Sequence, residues 1–227
     1  TWECQGNGQY KFKITWFYSC DSSSVLAPPT SINITSNGTI TSIPCLKISE
    51  SDVTPNCGSV NGISCTAGDL TTVSRVEYES ASIQLQGLPP AAGWEFNASV
   101  CCRATSTNTL NKTNIYLQST MFAPAGVTWA DPCYDSSPRF LDEPHIYAAA
   151  ATMQTISFAD MQDVDGDSVV VNWITPKGSF GANISYEPDY SFNQPIPSSV
   201  VDPSNIDGVL DPTSGFYKFS SNTAGRF

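Results

Sequence analysis

The sequence predicts an all-β fold arranged as two consecutive β-sandwich domains, about 1–133 and 134–227, the first rich in disulfides and the second resembling an immunoglobulin or cadherin sandwich. Three observations predict it. Apolar and polar residues alternate with a period of two in several stretches, and none shows convincing helical periodicity. Charged residues make up only 14% of the chain while aromatics reach 11%, with Ser, Thr and Asn in the remaining polar positions, a composition that suits strands and turns. The chain's 227 residues are too many for one small β-domain and comfortable for two.

The elements follow in order. Over 10–18, Tyr10, Phe12, Ile14, Trp16 and Tyr18 alternate with Lys11, Lys13, Thr15 and Phe17, which predicts a half-buried strand. Shorter strands are expected at Ser31 to Ile34, Arg75 to Tyr78 and Ser82 to Leu85. A core strand is expected over 94–102, with Trp94, Phe96, Ala98, Val100 and Cys102 on one face and Glu95, Asn97, Ser99 and Cys101 on the other. In that pattern the adjacent cysteines point opposite ways; a strained bond between them is the other reading. The stretch 45–69 is polar and turn-rich and reads as a loop held by its cysteines. Beyond 133, strands are expected at 153–158, 168–174 and 215–219, and the Ala148 to Ala151 run reads as strand rather than helix.

Eight cysteines (Cys4, Cys20, Cys45, Cys57, Cys65, Cys101, Cys102 and Cys133) all lie in the first 133 residues. An even count in a Lys-poor β-rich chain predicts cystines formed in an oxidising compartment, hence an extracellular or cell-surface location. Their pairing stays open among 105 connectivities. Zinc is excluded on spacing, since no C-x-x-C pair occurs and His145 is the only histidine. The break in cysteine content sets the domain boundary near 133.

The net charge of −11 is uneven: residues 1–133 carry 6 basic against 9 acidic residues, and 134–227 carry 4 against 12. Such a balance disfavours nucleic acid. No stretch of 18 apolar residues could span a bilayer, so direct membrane insertion is not expected, and the first residues lack a leader pattern, which reads as a processed or truncated product.

One motif carries chemistry. Asp160, Asp163, Asp165 and Asp167 surround Gly166 and offer the hard oxygen ligands that Ca²⁺ takes; the other reading is a polar turn in which Gly166 supplies positive φ and the aspartates are solvated. An EF-hand is excluded because the downstream Glu and flanking helices are missing. No catalytic residue is assigned. His145 has no nucleophile or orienting partner that sequence logic attaches to it, and Glu77 with Glu79 reads as solvated strand carboxylates rather than a glycosidase pair. Of five tryptophans, Trp16, Trp94 and Trp173 fall in strand patterns and read as core, leaving Trp2 and Trp129 free to stack on sugars. Asn-X-Ser/Thr sequons occur at Asn33, Asn37, Asn97, Asn111 and Asn183, as an exposed Asn/Thr-rich surface produces by chance; glycans are expected on some of them in a eukaryotic source, and most stay silent in a bacterium.

The motif order is itself informative: Thr1-Trp2-Glu3-Cys4-Gln5-Gly6-Asn7-Gly8-Gln9-Tyr10 leads into an aromatic strand ending at Cys20. Then come Cys101-Cys102-Arg103, Pro132-Cys133, Ser136-Ser137-Pro138 and Asp163-Val164-Asp165-Gly166-Asp167-Ser168. Together these resemble repeats of large secreted surface proteins of Bacteroidota, which commonly carry a gliding-motility-associated or type IX secretion C-terminal domain. The resemblance implies export across the outer membrane and surface attachment. It departs at Tyr18-Ser19, where the family often has Arg-Asp, and at Tyr147-Ala148, where it often has Ile-Cys after the Tyr; the second domain is thereby left without a bridge. Similar domains also continue with a further strand after the segment matching Gly215 to Phe219, so the expectation is a truncated second domain or an open edge that accepts another chain's strand.

The function expected is non-enzymatic: adhesion, or construction of an extracellular filament, as a module of a bacterial surface protein. Its partners would be other copies, further domains of the same protein or surface glycans, with Ca²⁺ as the one cofactor considered. The alternative is a carbohydrate-binding module of a secreted enzyme, and a hydrolase stands third.

Overall fold

The computed structural model describes residues 1–19, 28–36, 39–54, 72–85, 87–103, 106–110, 114–128, 135–141, 148–158, 160–225 and 227. Among them the fold is all-β, with no α-helix and a single 3₁₀ turn at Ser179–Gly181. The chain forms two compact units. The first comprises Thr1–Val100, Leu117–Arg139 and Asp163–Gly166, and the second Cys101–Tyr116, Phe140–Gln162 and Asp167–Phe227. The chain therefore passes between them several times.

The large sheet is built from β1 (Trp2–Gly6), β2 (Gln9–Ser19), β3 (Ser31–Ser36), β4 (Thr39–Asp52), β5 (Val73–Ser80), β6 (Ile83–Gln84), β7 (Trp94–Val100) and β8 (Ile115–Met121). Its order is β1-β2-β5-β4-β3-β7-β8, with β6 beside β2. The hairpin joining β1 to β2 turns on Asn7 and Gly8, both at positive φ (+53° and +69°) as a two-residue type I′ loop requires. Two long strands curl the sheet. The first residues of β2 lie beside β1 and β6, whereas Lys13 to Ser19 pair with β5. Likewise β4 pairs with β3 over Thr39 to Pro44 and with β5 from Cys45 onward, with a register shift between Lys47 and Ser49. Strands that change neighbours part-way form the corners by which a sheet folds over its own inner face.

That inner face is the core. The alternation in β2 delivers Tyr10, Phe12, Ile14 and Trp16 to it, all at most 5% exposed. The other strands of the sheet contribute Ile32, Ile34, Ile43, Val76, Tyr78, Trp94, Phe96 and Met121. The Phe96 ring sits 5.0 Å from Phe12 and 5.2 Å from Trp2, centroid to centroid.

Four expectations change. Within the stretch read as a loop from 45, Cys45 to Asp52 belongs to β4; residues 55–71 lie outside the described residues. The core strand ends at Val100, two residues early. Ala150 and Ala151 form a turn, Ala151 at φ +58°, where a strand was expected. Residues 168–174 form no strand either. Val169, Val171 and Trp173 are half-buried while Val170, Asn172 and Ile174 are exposed, so the period of two reports facing correctly. A strand also needs a neighbour to complete its ladder.

In the second unit β10 (Gln154–Ser157), β13 (Phe216–Ser220) and β12 (Ile206–Leu210) form an antiparallel sheet in that order. A short ribbon pairs β9 (Arg139–Phe140) with β11 (Met161–Gln162). Tyr217, 2% exposed, is the centre of the small sheet's packing: Trp173 meets it edge-on at 5.2 Å and Phe219 stacks at 5.4 Å.

Candidate functional site

The Asp-rich turn is a locally closed structure. Gly166 takes φ +86°, as a turn residue without a Cβ does readily, and the Asp163 carboxylate accepts the Asp165 N–H at 2.9 Å. The Asp165 carboxylate in turn accepts the backbone N–H of Ser136. Ser136 and Ser137, 2% and 6% exposed, lie along β1: the Ser137 hydroxyl accepts the Trp2 N–H at 2.9 Å, the Ser136 hydroxyl accepts the Cys4 N–H at 3.2 Å, and the Ser137 N–H donates to the Trp2 carbonyl at 3.0 Å. Two serines thus satisfy the edge of β1, and Asp165 holds one of them. Asp163 and Asp165 fall in the first unit, Asp160 and Asp167 in the second. Among the described residues no group of three or more His, Cys, Asp or Glu side chains is gathered as a metal ion needs. The arrangement formed by Asp165, Ser136 and Ser137 is an edge clamp.

The cysteines divide three ways. Cys4 is disulfide-bonded, and Cys101 and Cys102 are joined to each other across a cis peptide bond. The expectation that these neighbours face opposite ways is corrected, because β7 has ended before them and strand alternation no longer applies. Cys45, counted from the sequence among the cystines, is a free thiol 4% exposed in the core, and burial pushes its pKa up. It lies opposite Ser80 on β5 and its own strand delivers it to the apolar face beside Ile43. Cys20, Cys57, Cys65 and Cys133 lie outside the described residues, as do His145 and Trp129.

The outward face of β2, β5 and β4 carries a ladder of paired charges. Glu79 takes Lys11 and Lys13 (the latter at 3.3 Å), and Glu77 takes Arg75 and the Ser49 hydroxyl at 2.9 Å. Glu50 lies on the other face of the same strands, opposite Val76, and takes Lys47 together with the Tyr18 hydroxyl. Cross-strand register explains the pairing, since Lys13 opposes Glu79 directly. Hydrogen bonds from Lys47, Arg75 and Lys11 respectively hold the Glu50, Glu77 and Glu79 carboxyls below the ordinary glutamate value. A general acid needs the reverse shift.

The sugar-stacking assignment changes for Trp2, which is 6% exposed and part of the core. Trp16 and Trp94 are core, as their alternation predicts, and Trp173 packs half-buried on Tyr217. Sequence reasoning missed the site around Tyr217. Its hydroxyl is buried and has no hydrogen-bond partner among the described residues, and burial, with Asp207 adding to it, pushes the pKa up to about 12. Gly208 on the neighbouring β12 makes room for this ring, for a Cβ there would lie 1.8 Å from the hydroxyl oxygen.

No family model, no curated protein and no solved structure matches the chain.

Proposed function

We propose that the chain works outside the cell as an adhesion or structural module of a bacterial surface protein or filament, without catalytic activity of its own. The observation that carries this reading is the oxidised state of Cys4, Cys101 and Cys102 in a β-rich chain of low charge content. Further support comes from the sheet's outward face, where the Glu77 and Glu79 carboxylates are already bonded to neighbouring cations. In this reading the two compact units are β-sandwich modules, the first stapled by disulfides, and the order of motifs along the chain points to surface proteins of Bacteroidota. Partners are further copies, other domains of the same polypeptide or surface glycans.

The test is protease shaving of intact cells followed by non-reducing peptide mapping. Peptides of this chain released from whole cells, with Cys101 bonded to Cys102, together with weaker surface attachment on deletion of the gene, are the results expected. Recovery of the chain only after lysis, with reduced thiols, would overturn the extracellular role; release with no change in attachment would overturn the adhesive one.

A further inference from the structure

We infer that the Cys101–Cys102 bond is an oxidation-dependent latch on β7. Closed, it ends the strand at Val100 and seats Arg103 on the Lys177 carbonyl; open, it lets the strand run on to Cys102 and releases Arg103. The inference needs these residues and their neighbours alone and stands apart from any adhesive role.

The bond and the strand exclude each other. Successive side chains of a β-strand point to opposite faces, so adjacent cysteines in a ladder hold their sulfurs apart, and a bonded pair has left the ladder. The structure holds the bonded state: β7 ends at Val100, with Cys101 exposed and Cys102 half-buried. The alternation of residues fits the other state. Trp94, Phe96, Ala98 and Val100 are all at most 9% exposed, and Cys102 is next on their face, while Cys101 follows Glu95, Asn97 and Ser99 outward.

A neighbour for the longer strand is in place. Thr35 pairs with Glu95 and Asn33 with Asn97, so each step back along β3 is a step forward along β7, and Pro29 falls opposite Cys101. The Thr30 carbonyl accepts the Cys45 N–H at 2.8 Å on the β4 side, so alternation along the backbone turns the Pro29 carbonyl to the β7 side. Pro29 has no N–H to offer, but its carbonyl is the acceptor that the Cys101 N–H needs.

Arg103 follows the latch. In the closed state its guanidinium donates to the Lys177 carbonyl at 3.0 Å, and its Nε is buried with no partner among the described residues. Leaving a buried N–H without an acceptor is unfavourable, so this seat depends on the path that the closed latch imposes on the chain. On the extended strand Arg103 shares the outward face of Cys101.

Closing is a thiol–disulfide exchange. The Cys101 thiolate, outward in the open state, attacks the disulfide of an oxidising dithiol protein, and one sulfur of that protein leaves as a mixed disulfide forms. The Cys102 thiolate then displaces the other sulfur and closes the bond, and the oxidant departs as a dithiol carrying the two electrons and two protons. A reducing dithiol runs the same steps backwards.

The experiment is amide exchange at position 101 together with phenylglyoxal labelling of Arg103, on the full chain. Wild type is compared with Cys101→Ser/Cys102→Val and Cys101→Ser/Cys102→Ser, which hold the latch open while Cys4 stays disulfide-bonded. In both variants the amide at 101 is expected to exchange about tenfold or more slowly than in wild type, as a ladder bond requires, and Arg103 to label several-fold faster. Dithiol-reduced wild type, which carries no substitution, is read in the same way and should show the same two changes. Equal or faster exchange at 101 overturns the strand extension, and unchanged labelling of Arg103 overturns its release.

Discussion

The carboxylate of Asp165 accepts the backbone N–H of Ser136, and this bond ties the Asp-rich turn to the edge of the large sheet. The same residue that offers itself to a cation by sequence serves as an anchor.

Asp165→Ala should therefore destabilise the first unit by about 1–3 kcal/mol, because the part-buried Ser136 N–H loses its acceptor. Asp165→Asn, which keeps an acceptor oxygen, should cost less. Urea unfolding followed with both EDTA and excess calcium is the measurement, and the loss is expected to be the same in each; a loss confined to calcium would identify Asp165 as a ligand. Ser137→Ala should cost a similar amount by stranding the buried Trp2 N–H.

Tyr217 predicts an alkaline limit for the second unit. Its folded-state pKa of about 12 lies above the ordinary value of about 10, so its contribution is fully present below pH 10 and is lost as pH rises towards 12. Tyr217→Phe should remove this dependence and, by deleting a buried hydroxyl that has no partner among the described residues, raise stability at neutral pH by about 1 kcal/mol. Gly208→Ala should cost about 1–3 kcal/mol or more through collision with the ring. Thermal scans between pH 7 and 11.5 separate these effects.

At the acid end the direction reverses. Glu50, Glu77 and Glu79 have folded-state pKa values below the ordinary glutamate value of about 4.3, so their contribution is present above it and lost as pH falls through the lower folded values. Glu79→Gln, which releases both Lys11 and Lys13, should flatten the fall of the urea midpoint between pH 5 and 3.

Cys45 should resist alkylation in the native protein, since burial both shields the thiol and raises its pKa. It should label in denaturant without reductant, whereas Cys101 and Cys102 should label only after reduction. Mass mapping of differentially alkylated peptides distinguishes the two classes.

What the sequence revealed depended on whether a residue's neighbours imposed a period. In β2 and β7 one face is core and the other is solvent, so Tyr10 to Trp16 and Trp94 to Val100 alternate and their strands are legible. The second half of β4 is exposed from Leu46 to Asp52 and carries no such alternation, hence its reading as loop. Residues 168–174 show the converse, a period-two burial pattern with no strand ladder among the described residues. Trp2 looked free because nothing local marks a tryptophan that packs on Phe96, and the Ser136–Ser137 clamp was invisible because its bonds reach 132 and 135 residues back along the chain. The Asn7-Gly8 hairpin signal, by contrast, was available in the letters.

The corners in β2 and β4 have a consequence for how this sheet comes apart. Because the start of β2, through Lys13, hydrogen-bonds to the N-terminal strand and β6 while its remainder bonds to β5, fraying that begins at β1 meets a new set of bonds at Ile14 rather than running on through the strand. Local opening is expected to halt there, so that amide protons from Ile14 to Ser19 exchange with solvent more slowly than those of β1, and the end of the sheet can breathe while its middle stays shut.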